Sequence, residues 1–83
     1  SVKINSSIKD IENFLQKETP PITNYIEPQE HDGHFAVVVG IEDNDLILND
    51  PWHGKDFKIS KEMFLKNWRD FEKKRPRWLL AIS

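Results

Sequence analysis

Ile8, Ile11, Phe14 and Leu15 recur at the three- and four-residue spacing of one helical face, and Ser7-Ile8-Lys9-Asp10 at their start reads as a capping box. This pattern predicts a helix from about Ser7 to Lys17, stopped by Thr19-Pro20-Pro21. The period then drops to two. Ile22-Thr23-Asn24-Tyr25-Ile26 is β-branched and aromatic, with Ile22, Asn24 and Ile26 on one side and Thr23 and Tyr25 on the other, and it predicts a short strand. Pro28 to Gly33 forms a polar loop that delivers His34. Phe35 to Ile41 is apolar at every second position on both sides, the pattern of a central strand covered on each face.

Asp45 to Asn49 is the partner of that strand across the turn Glu42-Asp43-Asn44. With a three-residue loop and Asn44 in the left-handed position, Ile41 pairs with Asp45 and Ala36 lies opposite Asp50. His34 and Asp50 then share one face as diagonal neighbours. A two-residue loop shifts the pairing by one and sends them to opposite faces. Asp56-Phe57-Lys58-Ile59 alternates as a further strand, and Ser60 caps a second helix with Phe64, Trp68 and Phe71 on one stripe. After Pro76, Trp78 to Ile82 makes a closing strand. The fold expected is α+β: a bent antiparallel sheet or partial barrel of four to five strands with two helices, in a single domain over residues 1–83. There are no repeats, low-complexity tracts or internal linkers.

Composition narrows this picture. A chain of 83 residues removes only about 60–65% of its unfolded surface from water, so the core is small. Five Phe, three Trp and one Tyr supply much of it in a chain that is 31% charged, a balance that favours a folded domain over disorder. The net charge of −2 divides unevenly, with an acidic body and a basic tail. Lys73-Lys74-Arg75 and Arg77 in that tail read as a solvated helix end, and no nucleic-acid partner is expected. The run Phe35 to Val39 falls far short of the roughly 20 apolar residues of a spanning helix, and no membrane span is expected. Beginning at Ser1, the chain reads as processed or as part of a longer one. With no Cys, it can form neither a disulfide nor a thiolate metal site; the compartment stays open, the cytoplasm being the simpler fit.

The candidate chemistry rests on His34 and Asp50. In nucleophilic acyl transfer an imidazole takes the proton of the nucleophile, and a carboxylate on its other nitrogen fixes the tautomer. Gly33 precedes the histidine and Trp52 follows the Asp50-Pro51 step; these two are the candidate binding residues. A third use of the same region is a metal site built from His31, Asp32, His34, Asp50 and His53, since imidazole and carboxylate suit zinc, nickel or copper. The first three of these lie too close along one loop to be placed independently, so no metal and no cofactor is expected. His53 and Gly54 read as turn residues, and Trp52 as a ring packed over the sheet rim.

A longer pattern is more specific. Asp32-Gly33-His34-Phe35-Ala36-Val37-Val38-Val39-Gly40, then Asp43 to Gly54, then Ile59 to Trp68 resembles, in order and spacing, the C-terminal half of the papain-like, bacteriocin-processing cysteine peptidases that cut after double-glycine leaders. Pro20-Pro21-Ile22-Thr23 looks like the strand that precedes the histidine loop of that family, so the resemblance covers about residues 8 to 82. It implies His34 as catalytic base and Asp50 as the residue that orients it. The nucleophilic Cys of the family, and the Gln upstream of it, have no match here. The chain is therefore expected to be inactive alone. Two arrangements follow from the resemblance: a peptidase completed by a Cys-bearing N-terminal half or second chain, or a degenerate relative that binds a peptide or leader segment without cutting it.

Overall fold

The computed structural model describes residues 2–26, 33–69 and 76–81. Along the chain run β1 (Val2–Lys3), α1 (Ile8–Gln16), β2 (Ile22–Ile26), β3 (Gly33–Glu42), β4 (Asp45–Asp50), β5 (Gly54–Ser60), α2 (Lys61–Asn67) and β6 (Leu79–Leu80). The capping box forms as the sequence predicts: Ser7 Oγ accepts from the Asp10 amide, and the Asp10 carboxylate accepts from the Ser7 amide. Ser60 caps α2 in the same way, accepting from the Met63 amide. Phe71, the third member of the predicted stripe, lies outside the described residues, as do Lys73-Lys74-Arg75, Ile82 and the loop from Pro28 to Asp32.

The strands form one open antiparallel sheet in the order β1-β6-β2-β3-β4-β5, and the fold is α+β with a bent sheet. The described residues contain six strands, not four to five. The additional one, β1, has only two residues, both exposed, so no alternation marks it in the sequence. The closing strand is likewise shorter than predicted, Leu79–Leu80, with Trp78 and the buried Ala81 flanking it.

Helices α1 and α2 cover the same face of the sheet. Ile11, Phe64 and Trp68 pack there against Tyr25, Ala36, Val38, Leu46, Leu48 and Ile59 to make the core. β3 is thus covered on one face, not two. Phe35 on the other face is 58% exposed and Val39 is also open to solvent. The continuous apolar run over-states coverage: Phe35 stays largely exposed although its ring meets Trp78 edge-on, with 5.9 Å between ring centroids. No helix among the described residues is long and apolar enough to cross a membrane.

The turn between β3 and β4 departs from expectation in a way that matters for the site. Glu42 pairs with Asp45, so the loop has two residues, and its left-handed residue is Asp43 (φ 54°), not Asn44. Taken alone, that turn sends His34 and Asp50 to opposite faces. A β-bulge at Val39 reverses the shift: Gly40 pairs with Ile47, but Val38 pairs with Leu48 and Val37 with Asn49. The odd residue that the sequence assigns to the turn is absorbed inside the strand, and the pairing near the site is the one predicted.

Candidate functional site

Three adjacent strands each bring one side chain to the end of the core face. Tyr25 of β2 lies directly opposite His34 of β3, and Asp50 ends β4 as the diagonal neighbour of the histidine. Asp50 is the best-anchored group of the three, its side chain wholly buried. Pro51 turns the chain immediately after it, and the Asp50 Oδ1 atom accepts from the amides of Trp52 at 2.7 Å and His53 at 2.9 Å. This is the local turn that aspartate favours, with the carboxylate standing in for a backbone acceptor. Gly54, at φ 87°, closes the three-residue loop in a conformation that glycine adopts without strain.

The other oxygen faces the sheet. Oδ2 of Asp50 accepts from the Tyr25 hydroxyl at 2.5 Å and faces Nδ1 of His34 at 3.3 Å. Burial pushes the Asp50 carboxyl up, but the Tyr25 hydroxyl, the amides of His53 and Trp52 and the His34 ring outweigh it and hold the group below its ordinary value. An ionised carboxylate only accepts, so a neutral His34 facing it carries its proton on Nδ1 and leaves Nε2 as a proton acceptor. The ring stands edge-on to Tyr25, with centroids 6.2 Å apart, and its side chain is 16% exposed. The separation of 3.3 Å is at the long end for a hydrogen bond.

The remaining predicted residues fall into place around this pair. Gly33 opens β3 opposite Ile26, and a Cβ there makes ordinary contacts with Asn24 and Ile26, so the strand itself does not demand glycine. Trp52 is 53% exposed at the turn, its ring edge-on to His53, which stacks flat on Phe57 with 3.7 Å between centroids. The His53 ring therefore belongs to an aromatic ledge, while its amide serves Asp50. Among the described residues no group of three or more His, Cys, Asp or Glu side chains converges; His31 and Asp32 lie outside them. Ser7 is engaged in capping and Ser6 is wholly buried, so neither presents a hydroxyl to substrate. Surface depressions of about 460 Å³ beside Glu12 and Ile41 and about 450 Å³ beside Asn44 and Leu65 do not include the pair.

Tyr25 is the residue that sequence reasoning passes over. The alternation of β2 puts it on the face shared with Thr23, but the pairing of β2 with β3 depends on the loop between them, whose length does not fix a register. A lone tyrosine in an otherwise aliphatic and polar strand is the signal, since a buried phenol takes a hydrogen-bond partner.

The site thus sets a partly exposed histidine beside a wholly buried carboxylate. Residues 1–76 match the Peptidase_C39 like family, and the chain belongs to that family. This makes it a peptidase-like domain, related to cysteine peptidases. No curated protein and no solved structure matches it.

Proposed function

We propose that this chain carries the histidine and aspartate of a papain-like cysteine-peptidase site, with His34 as general base and Asp50 as its orienter, and that the nucleophilic Cys comes from other sequence. The observation that supports the reading most is the Asp50 carboxylate, buried, ionised and held by Tyr25 and two turn amides with one oxygen toward His34 Nδ1. The turn amides and Tyr25 give the carboxylate a use in the fold, and the imidazole set beside Oδ2 adds that of an orienter. The substrate is a peptide, or a leader segment, that runs past Gly33 and the exposed Trp52. The 83 residues bind it but do not cut it, and the domain corresponds to the C-terminal half of the papain-like fold.

The test is reconstitution. The isolated chain should leave a fluorogenic peptide intact, and joining it to a Cys-bearing N-terminal half should give hydrolysis that His34→Ala lowers by about 10²–10⁴-fold, the usual contribution of a general base. Hydrolysis unaffected by His34→Ala refutes the assignment of the base. Peptide binding centred on His34 and Trp52 without cleavage in the joined protein refutes the catalytic reading and leaves a binding module.

A further inference from the structure

We propose that Tyr25 is a positioning residue of the site: its hydroxyl fixes the plane of the Asp50 carboxylate and, through it, the tautomer of His34. The proposal rests on the base-and-orienter reading above and deepens it. A carboxylate turns about its Cβ–Cγ bond unless both oxygens are held. Oδ1 is held by the amides of Trp52 and His53. On Oδ2, the contact with His34 at 3.3 Å is the longest of the four and the Tyr25 bond at 2.5 Å the shortest. Hydrogen bonds to a charged acceptor strengthen as they shorten, so Tyr25 and not His34 is the second anchor.

Tyr25 can serve as an anchor because it is itself immobile. It has no exposed surface, its ring lies against Phe64 with 5.9 Å between centroids, and its backbone is paired with His34 across β2 and β3. The helix that carries Phe64 is thereby connected to the carboxylate through one side chain. Among the described residues, the groups that face Asp50 are Tyr25 from β2, His34 from β3 and the amides of the turn after β4. Of these, Tyr25 and His34 share Oδ2, and Tyr25 is the one with no exposed surface. A phenylalanine fills the same space and lacks only the hydroxyl, so Tyr25→Phe removes the anchor without emptying the core.

The experiment is carried out on the 83-residue chain, with ring ¹⁵N shifts reporting the His34 tautomer and the Asp50 ¹³Cγ shift followed against pH. In the parent protein neutral His34 should be in the Nδ1–H form. In Tyr25→Phe the ratio of Nδ1–H to Nε2–H forms should fall by about five- to tenfold, in keeping with the loss of one hydrogen bond, and the Asp50 titration should move to higher pH. A tyrosine that only fills space leaves both unchanged, and that result overturns the proposal. Should Tyr25→Phe fail to fold, the parent decides: a downfield, exchange-protected Tyr25 hydroxyl proton supports the anchor, and its absence at neutral pH overturns it. A parent His34 already in the Nε2–H form overturns the base reading and this proposal together; a parent Nδ1–H form that survives Tyr25→Phe overturns the proposal alone.

Discussion

Replacing Asp50 by Ala removes the acceptor of four contacts at once, and the structure allows the consequence to be apportioned. The Trp52 and His53 amides sit in a part-buried turn where water replaces much of what is lost, about 0.5–1 kcal/mol each. The Tyr25 hydroxyl is buried and loses this acceptor, at about 1–3 kcal/mol. Relief from burying a charge acts the other way. The net loss expected is about 2–4 kcal/mol, a large share of the roughly 4–12 kcal/mol that a domain of this length possesses. Asp50→Asn keeps Oδ1 for the turn, and its amide meets a phenol that rotates to accept, so it should lose only about 1–2 kcal/mol. The amide now donates toward His34 Nδ1, however, and the ring must carry its proton on Nε2. Urea unfolding followed by tryptophan fluorescence, with Trp68 as the buried reporter, measures the first quantity, and ring ¹⁵N shifts measure the second. An Asp50→Ala protein within about 1 kcal/mol of the parent, or an Asp50→Asn protein with His34 still in the Nδ1–H form, refutes the reasoning.

Other outcomes follow from the same geometry. Because the folded-state Asp50 carboxyl lies below its unfolded value, it contributes stability that is present above the ordinary 3.8 and is lost as pH falls through the folded value; Asp50→Asn should flatten this acid limb in unfolding followed by circular dichroism, and parallel limbs count against it. Gly54→Ala should lose about 1–2 kcal/mol through backbone strain alone, since a Cβ there meets nothing within 4 Å; chemical denaturation that shows no loss contradicts the left-handed assignment. Phe64→Ala should lose about 3–5 kcal/mol and loosen Tyr25, read as faster exchange of the β2 amides. Trp52→Ala should leave the unfolding midpoint within about 0.5 kcal/mol of the parent while weakening peptide binding in titrations; unchanged affinity removes Trp52 from the proposed groove.

The elements legible in the sequence were those with a local cause. Ser7 with Asp10 and Ser60 with Met63 announce their helices through side-chain caps, and the alternation of Ile22 to Ile26 gives β2. What stayed hidden was set by pairing between segments. The two exposed residues of β1 become a strand only because β6 is beside them. Tyr25 joins the site through a ladder whose register is set across a long loop, and the bulge at Val39 has no composition of its own to mark it. His34 and Asp50 were readable as a pair because one hairpin carries both.

That bulge divides the hairpin into two stretches of ladder that keep separate count. The distal stretch follows the Asp43-Asn44 turn, while the proximal stretch follows Val37 and Val38 toward His34. A gain or loss of one residue at the turn can be taken up where Val39 already stands out of register, before it reaches the chemistry. The solvent end of the hairpin is thus open to variation in length by single residues, and the end that bears His34 and Asp50 holds its phase.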